Sequence, residues 1–536
     1  MRKDMKKLYS LILAVVAVVA ISSCSKDEFK DKYVDPSKTT TVSCEKLMTG
    51  AFMFGRDYTF NAYWRMYTWD NYFGKLAQSI GTGTNSGSMY YINDGYASDR
   101  WKSFYRVLRN YRVMQANATE NDRIYLALTE VFLYDHLSQI VDIFGPVPFE
   151  EAGKLPETGS IAASLAKFDS DVDLYRMMLT NLDALYTEIG TLASNLTPEA
   201  ETALPKQDFI NGGNLEMWQR YANALLLRLG MHVAIQGSLT AEGRAAVSKA
   251  AGRLLPTNWE NSIKVKSDFD GFNYWENFRD SWKDINATAS QGVIDAFRVS
   301  GADDPRLRVV YIPNEAGEYF GEGYHETAQE QSDHNTYDGY ANRYYARLNY
   351  ATFTYNNLFV SPVFSAAEAW FLLAEAIERG YASGNSETAF KNAIAASIEQ
   401  YFDENVHGSQ DKATSSGGEY FLKLTEADIP SNSDALAFAG NVWNAYTNKI
   451  EGIMTQKWAH FGITQPTQAW TDIRRTGYPH LNYPTDTGSG VKYANIVNRV
   501  KYPNDEVEHN KANYEANKGN VGDDSAEFPL FWANKL

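Results

Sequence analysis

Apolar residues spaced three and four positions apart fill five long segments of this 536-residue chain, and this spacing constrains the fold more than any other feature. It is the spacing of one face of an α-helix. Gly145 and Pro146 would stop the first helix, Gly380 would end the fourth, and Ser386 is placed to cap the start of the fifth. The predicted helices lie within residues 122–149, 171–189, 214–235, 365–380 and 386–402. The pattern therefore predicts a mainly α-helical fold.

The last two predicted helices form a pair across the short turn YASGN. Alanines recur where the two helices would touch, at Ala374, Ala376, Ala389, Ala393 and Ala396. This arrangement resembles a tetratricopeptide-type hairpin. No strict repeat of about 34 residues runs along the chain, so a plain antiparallel helix pair stays open as the alternative. Both interpretations give a helical scaffold.

The first residues, MRKDMKKLYSLILAVVAVVAISSC, have the layout of an export signal. Four cations precede an apolar run over 8–21, which is shorter than the about 20 residues of a membrane-spanning helix. An uncleaved short anchor is the alternative. Ile21, Ser22 and Ser23 before Cys24 resemble a bacterial lipoprotein signal, in which the cysteine becomes the acylated N-terminus. Several acyl chains anchor a protein stably, whereas one binds a membrane only marginally.

These features divide the chain into a lipoprotein signal peptide over 1–23, a lipidated flexible tether over 24–43 and a single domain over 44–536. The charged residues that follow Cys24 read as a solvated tether. Their acidic cluster also resembles the surface-export signal of Bacteroidetes lipoproteins. The expected location is therefore the outer face of the outer membrane, with the protein held there by lipid.

Cys44 is the only other cysteine, so an acylated Cys24 leaves the domain without an internal disulfide. The formal net charge is −16, and removal of residues 1–23 with their four cations and one anion brings it near −19. Such acidity argues against nucleic-acid or other polyanionic partners. It also argues against binding to anionic lipid through the protein surface, which leaves the acyl chains to anchor the protein.

Three long segments without helical spacing, 70–101, 256–289 and 311–358, are rich in tyrosine and tryptophan. A further polar segment, 479–530, reads as loop. Long loops of this kind are functional or disordered, and their aromatic content argues against disorder. Tyrosine and tryptophan suit positions where one ring edge meets water. The three aromatic segments therefore predict a binding face on the helical scaffold.

Motifs for covalent chemistry are missing from the sequence. It contains no His-Glu-x-x-His, no Cys-x-x-Cys, no Gly-x-Ser-x-Gly and no phosphate-binding Gly-Lys-Ser loop. Asp268, Asp270, Asn273 and Glu276 could supply oxygen atoms to calcium, but they lack the spacing of a calcium loop, and a solvated acidic turn is favoured. No cofactor is expected. A glycosidase with two carboxylates stays open as an alternative, and the absence of motifs favours a protein that is not an enzyme.

Six stretches along the chain, taken in order, resemble the SusD/RagB family of outer-membrane nutrient-binding lipoproteins. They are DIFGPVPFEEA (142–152), WQRYANALLLRLGMHVA (218–234), DDPRL (303–307), AEAWFLLAEAIERG (367–380), IMTQKWAHFGITQPTQAWTDIRRTGYPHL (453–481) and NRVKYPNDEVEHNKANYEAN (498–517). The resemblance implies a scaffold of tetratricopeptide-like helices with a loop-rich, aromatic remainder. It implies oligosaccharide capture and delivery to a SusC-like TonB-dependent transporter, with peptide binding as the alternative. Within the stretches, Trp458, Trp470 and Arg474 are expected to hold helix ends and turns together.

The resemblance brings no binding motif with it, so the candidate ligand contacts come from the aromatic segments. Flat rings can stack on the C–H faces of sugars, while amides and guanidinium groups bind hydroxyls. For each candidate, burial beneath the loop is an equally open alternative. The candidates are Trp69, Asn71, Tyr72, Tyr90, Tyr91, Asn93, Trp101, Trp275, Trp282, Tyr337, Tyr340, Arg343, Tyr344 and Tyr345.

Overall fold

In a computed structural model of the chain, helices make up most of the described backbone. The described residues are 42–60, 76–79, 96–161, 165–266, 268–269, 272–273, 287–323, 333, 344–408, 421–481 and 497–534. Those within Cys44–Leu536 belong to one compact unit. Of the helices described, none combines the length and the apolar content needed to cross a membrane.

The described α-helices are, in chain order, α1 (Cys44–Phe60), α2 (Tyr96–Asn117), α3 (Arg123–Phe144), α4 (Leu155–Thr158), α5 (Asp171–Ala193), α6 (Pro198–Gln207), α7 (Leu215–Val233), α8 (Thr240–Ala250), α9 (Gln291–Arg298), α10 (Leu307–Val310), α11 (Ala366–Glu378), α12 (Ser386–Val406), α13 (Asn432–Ala445), α14 (Lys449–Phe461), α15 (Pro466–Thr476), α16 (Asn504–His509) and α17 (Lys511–Asn517). The described strands are β1 (Ala77–Ser79), β2 (Ile263–Lys266), β3 (Asp268–Phe269), β4 (Phe272–Asn273), β5 (Ala287–Ala289), β6 (Tyr311–Ile312), β7 (Arg347–Leu348) and β8 (Val360–Phe364).

All five predicted helices are present, as α3, α5, α7, α11 and α12, so the mainly helical fold class is confirmed. The predicted N-cap of α12 is wrong by one residue. Asn385 has extended backbone angles and its Oδ1 accepts a hydrogen bond from Thr388 N at 2.8 Å. Ser386 Oγ donates instead to Glu378 Oε2 at 2.5 Å. Asn385 caps the helix because it is the residue whose extended backbone aims its side chain at the first free N–H groups.

Helices α11 and α12 pack against each other, and the alanines predicted at their contact are buried. Helix α13 packs on α12, and α14 packs on α11. Small side chains let neighbouring helix backbones approach closely, so the alanine positions determine how tightly the pair packs. This part of the protein is a layered stack of helices.

Two hydrophobic clusters form the core. The larger joins α1–α3 and α5–α8 to the C-terminal segment, and the second joins α9–α15 to a small sheet. Buried ion pairs lie where the clusters meet. Arg228 of α7 bonds Glu368 of α11 at 2.6 Å, and both side chains are almost fully buried. The polar contact therefore fixes how the two halves of the scaffold are aligned.

Short strands lie within the segments predicted to be irregular. Strands β1, β5, β7 and β6 form one sheet in that order, β2 pairs with β8, and β3 pairs with β4. Helix α2 begins at Tyr96, earlier than the predicted end of the first aromatic segment. The prediction of irregular structure is wrong at these positions. Pairing with distant strands, rather than the local spacing of apolar residues, determines where such short strands form.

The C-terminal segment predicted as loop contains α16, α17 and a 3₁₀ turn at Lys518–Val521. Tertiary hydrogen bonds hold these short helices in place. Asn510 Nδ2 donates to Ala166 O at 2.8 Å, and Tyr502 OH donates to Pro146 O at 2.7 Å. Helices this short are not stable alone in water and depend on these tertiary contacts. With only six or seven residues each, they also show too few turns for a helical pattern to be recognised in the sequence.

Cys44 opens α1, and its side chain is buried with a free thiol. Burial, and then the charges of Asp122 and Glu45, raise the pKa of the Cys44 thiol to about 11. The group stays protonated at neutral pH, and a thiol is a poor nucleophile compared with a thiolate. Cys44 therefore serves packing. Cys24 lies outside the described residues.

Candidate functional site

The four-stranded sheet brings together parts of the chain that are far apart in sequence. Ala77 of β1 pairs with Ala289 of β5, Thr288 of β5 pairs with Arg347 of β7, and β7 pairs in turn with β6, all antiparallel. Strand β1 lies in the first aromatic segment, β5 in the second, and β6 and β7 in the third. Parts of all three segments predicted to bind ligand therefore pair in one sheet. These paired strand residues are called the bases of the segments.

Buried polar contacts fix the sheet. Thr288 Oγ1 donates to Glu322 Oε2 at 3.0 Å, and both side chains are buried. The backbone of Glu322 bridges two neighbours, since its N donates to Ala289 O at 2.9 Å and its O accepts from Gln291 N at 2.9 Å. These bonds attach residues 320–322 to the C-terminal end of β5 and to the start of α9.

Gly321 makes this attachment sterically feasible. A Cβ atom at this position would lie 2.5 Å from the Cα and N atoms of Gln291. Two backbone segments thus approach more closely than any side chain would allow. The Gly321 N–H also donates to Gln291 Oε1 at 2.9 Å.

An exposed aromatic pair lies beside this attachment. The rings of Phe320 and Tyr344 are 5.1 Å apart at 70°, an edge-to-face arrangement. Phe320 is 41% exposed and Tyr344 is half-buried. Asn314 Nδ2 donates to Tyr344 O at 3.0 Å and so fixes the backbone that carries the ring. The pair offers a ring surface to solvent at the base of the third aromatic segment.

Tyr345, the next residue, has a different environment. Its ring is 5.2 Å from that of Tyr344 at 85°, but only 1% of the residue is exposed. For Tyr345, the alternative of burial beneath the loop is the arrangement found. Phe320 lies inside the third aromatic segment but is not among the predicted ligand contacts, because the prediction for that segment rests on tyrosine and arginine.

Trp101 lies on α2 rather than in a loop, and it is 6% exposed. Its ring packs against Tyr105 at 5.1 Å, Phe144 at 5.1 Å and Tyr502 at 6.0 Å. These partners belong to α2, α3 and the C-terminal segment, so the structure does not bring Trp101 to the sheet with Tyr344 and Tyr345. It lines a separate groove, described below.

The other candidate ligand contacts lie outside the described residues, so their contact with ligand stays a prediction. They are Trp69, Asn71, Tyr72, Tyr90, Tyr91, Asn93, Trp275, Trp282, Tyr337, Tyr340 and Arg343.

The predicted structural roles of Trp458, Trp470 and Arg474 are confirmed. All three are at most 1% exposed. The guanidinium of Arg474 lies 3.6 Å over the Trp470 ring, and its Nη1 donates to Asp142 O and Asn498 O at 2.7 Å each. One arginine thus ties α15 to the end of α3 and to the C-terminal segment.

A second buried cluster stabilises the helical stack. Arg475 bonds Glu375 and Asp472, each at 2.7 Å, and Lys457 bonds Asp472 at 2.9 Å. Burial favours a raised pKa for Asp472, but Lys457 and Arg475 outweigh it and lower that pKa to about 2. The carboxylate is therefore charged at neutral pH and fully engaged, which is the requirement for a buried ion cluster.

Two histidines lie within hydrogen-bond distance of groups that could form a catalytic set. His460 Nε2 is 2.8 Å from Ser365 Oγ, and His232 Nδ1 is 3.3 Å from Asp142 Oδ2. All four residues are at most 2% exposed. Ser365 also caps α11, and burial, together with Arg306 and Lys457, lowers the pKa of His460 to about 3. A group so buried cannot reach a substrate, so these contacts stabilise the fold.

Within the part of the chain that the structure describes, no three His, Cys, Asp or Glu side chains gather in a way that would hold a metal ion. Asp270 and Glu276 of the weak calcium candidate lie outside that part. Asp268 and Asn273 pair through the backbone of β3 and β4. The prediction of a solvated acidic turn without calcium therefore stays untested.

Comparisons with known proteins cover most of the chain. A family model described as SusD-like, of the SusD and RagB outer membrane lipoproteins, matches residues 41–533. None of the curated proteins compared with this sequence matches it.

Solved structures share the fold. A chitin-binding protein is 22% identical with a TM-score of 0.71, covering 90% of this chain and 99% of its own. A chitin-binding SusD homologue from Flavobacterium johnsoniae is 20% identical with a TM-score of 0.68, covering 91% and 99%. A SusD homologue from Bacteroides fragilis is 21% identical with a TM-score of 0.68, covering 91% and 99%.

Proposed function

Because this chain belongs to the SusD-like family of outer membrane lipoproteins, we propose that it captures an oligosaccharide at the cell surface and delivers it to a SusC-like TonB-dependent transporter. One observation carries the proposal. The bases of three aromatic segments, otherwise distant in sequence, meet at the sheet β1-β5-β7-β6. An exposed pair of rings, Phe320 and Tyr344, lies at the same place.

The chemistry of the segments supports a sugar as the ligand. A pyranose ring has flat C–H faces that pack on aromatic rings, and its hydroxyls take hydrogen bonds from amides and guanidinium groups. In the sequence, Trp69 directly precedes the first segment and Asn71 lies near its start, and Arg343 directly precedes Tyr344 in the third. Two structural relatives are described as chitin-binding, which makes an oligomer of N-acetylglucosamine a reasonable first ligand to test.

The binding test uses isothermal titration with hexasaccharides of chitin, starch, cellulose and xylan, and with a peptide library. We expect saturable binding of one saccharide class, and no shorter product by chromatography after long incubation. Trp69→Ala and Trp275→Ala should abolish that binding and leave the melting temperature unchanged. Tyr345→Ala is the matched control for burial, since loss of a fully buried ring should lower the melting temperature.

The competing functions correspond to other results of the same test. Binding confined to peptides would replace the saccharide by a peptide ligand. Release of a shorter saccharide, abolished by removal of one carboxylate, would make the protein a glycoside hydrolase. Either result would contradict the proposal.

The membrane anchor is proposed to be lipid on Cys24, with residues 24–43 as the tether. Cys24→Ala should release the protein from the outer membrane fraction and remove the mass of the acyl chains from its N-terminal peptide. Cys44→Ala is the control, because Cys44 is buried in α1 and should have no effect on fractionation. Retention of the Cys24→Ala protein in the membrane would contradict the proposed anchor.

The proposed partner is the transporter itself. A permanent complex of this kind buries more than about 2,000 Å². We therefore expect the two proteins to purify together from detergent-solubilised outer membrane. Genes for a transporter and for hydrolases beside the gene for this chain would identify the substrate class independently.

A further inference from the structure

A groove of about 500 Å³ lies between α2, the turn at residues 148–153 and α16. This volume lies in the range of small-ligand sites, which is about 300–1,000 Å³. Trp101, Tyr105, Pro148 and Ala166 supply much of its apolar wall. The groove is built from four stretches of chain, so its shape depends on the packed fold rather than on one loop.

Three cations of α2 line the groove: Lys102, Arg106 and Arg109. Their spacing of four and three residues places them on one face of the helix. Lys102 is paired with Asp505 at 2.7 Å. Within the described part of the chain, Arg106 and Arg109 make no hydrogen bond or ion pair, and the only partner of Arg106 is the Phe54 ring, 5.8 Å from its Cζ. Two guanidinium groups one turn apart are thus available to a ligand.

Among the described residues that line the groove, Glu506 is the one carboxylate, and it is already engaged. Glu506 accepts a hydrogen bond from Asn510 Nδ2 at 2.7 Å. Tyr105 OH donates to Pro148 O at 2.7 Å. The groove therefore has its acidic group engaged by a neutral donor, while its two arginines keep their full capacity to bind.

Most other arginines with described side chains make a hydrogen bond or an ion pair. In the described part of the chain, Arg123, Arg228, Arg306, Arg475 and Arg499 each bond a carboxylate within 2.7 Å. The chain as a whole is strongly acidic, so it repels anions at long range. Any anion that binds must do so through local groups. Arg106 and Arg109 are both exposed, so each contact with an anion is open to screening by salt, and two guanidinium groups acting together are needed.

We propose that this groove binds the carboxylate of an acidic saccharide, a uronic acid within an oligosaccharide, through Arg106 and Arg109. The inference rests on the proposed function and adds to it a second contact site, separate from the sheet β1-β5-β7-β6, that selects acidic saccharides. The planar guanidinium matches a carboxylate with two parallel hydrogen bonds, and a second guanidinium one turn away can bind the same group or the next uronate. The rings of Trp101 and Tyr105 supply the wall beside which the sugar would lie.

The experiment titrates the protein with trigalacturonate, its methyl ester and a neutral hexasaccharide that the protein binds. We expect trigalacturonate to bind and the methyl ester to bind at least about tenfold more weakly, since each charged hydrogen bond is worth roughly a tenfold change in affinity. Arg106→Gln with Arg109→Gln should lower trigalacturonate affinity by about tenfold or more and leave the neutral saccharide unaffected.

Lys46→Gln with Lys206→Gln is the matched control. Both lysines are exposed, lie outside the groove and change the net charge by the same amount. Affinity for trigalacturonate should hold in this variant, apart from a small long-range effect that added salt removes. An equal loss in both double variants would overturn the groove as the site.

Other outcomes separate this inference from the proposed function. Binding of the neutral hexasaccharide without any binding of trigalacturonate would overturn the inference and leave saccharide capture intact. Equal affinity for trigalacturonate and its methyl ester would also overturn it, because the carboxylate would then contribute nothing. Failure to bind any saccharide would overturn both proposals.

Discussion

The helical stack α11–α15 and the sheet β1-β5-β7-β6 are stabilised in different ways. In the stack, Arg475, Glu375 and Asp472 form a buried cluster of charges, and each charge has a partner. The sheet has strands of only two or three residues, fixed by backbone bonds and by Thr288 with Glu322. Most aromatic rings in the stack, such as Phe371, Phe390 and Trp470, are buried, whereas Phe320 beside the sheet is 41% exposed.

This difference separates stability from recognition. A buried ion cluster tolerates little change, because removal of one member leaves an uncompensated charge in the core. A short sheet that joins the bases of long segments leaves the other residues of those segments outside the core. Those residues can change without a loss of core stability. Changes in the stack should therefore unfold the protein, and changes near the sheet should alter binding first.

The largest expected effect is in the stack. Arg475→Met removes the shared partner of Glu375 and Asp472 and leaves Glu375 with Arg379 alone and Asp472 with Lys457 alone. We expect a loss of about 3–5 kcal/mol in the free energy of unfolding, measured by urea titration. Arg176→Met breaks an exposed pair with Asp173 and should cost at most about 1 kcal/mol. Equal losses would show that burial of the cluster is unimportant.

Gly321→Ala tests the sheet. The new methyl group would collide with the backbone of Gln291 and push residues 320–322 away from β5. We expect a loss of about 1–3 kcal/mol and weaker saccharide binding. Gly519→Ala is the control, since no heavy atom lies within 4 Å of its Cβ position, and it should change stability by at most about 0.5 kcal/mol. An unchanged Gly321→Ala protein would contradict the close approach.

His460→Gln tests the stack through pH. The folded-state pKa of His460 is about 3 against an ordinary 6.5, so between these values the unfolded state binds one more proton. The stability from this group is present above pH 6.5 and falls as pH drops, by about 1.4 kcal/mol per pH unit. We expect the variant to lose less stability than the wild type between pH 6 and pH 5, by urea titration. An identical pH slope in the two proteins would mean that His460 is protonated in the fold.

Apart from the control variants, Tyr344→Ala should have the smallest effect on stability. The half-buried ring contributes an edge-to-face contact worth about 0.5–1.5 kcal/mol, so stability should fall by roughly 1 kcal/mol. Saccharide affinity should fall more clearly, measured by titration. Phe320→Ala should behave in the same way, because it removes the other ring of the pair. A loss of stability without a loss of affinity would place both rings in the scaffold.

Much of the scaffold could be predicted from the sequence. The five segments with helical spacing are helices in the structure, the alanines of α11 and α12 are buried where the two helices pack, and Trp470 and Arg474 are buried as predicted. The helical spacing of apolar residues is a local property that repeats over many residues. It can therefore be recognised without knowledge of the fold. The N-cap of α12 was misplaced by one residue because Asn385 and Ser386 are both good caps and only the backbone angles separate them.

The candidate site could be predicted only as a set of segments. Trp101 was placed with the first aromatic segment, but it lies in a helix and lines a different groove. Tyr344 and Tyr345 are neighbours with the same side chain, yet one is half-buried and the other is fully buried. Phe320 was not selected at all.

The sequence by itself determined the helical scaffold and the family. Helices show as local spacing of apolar residues, and the family shows as six short stretches that occur in a fixed order along the chain. The tertiary structure alone decided that three distant segments share one sheet, that Arg475 is paired, and that Arg106 and Arg109 have no ion pair with any residue that the structure describes. Strand pairing and charge pairing join residues that can be hundreds of positions apart. Their energy depends on burial and distance, and neither quantity exists until the chain has packed.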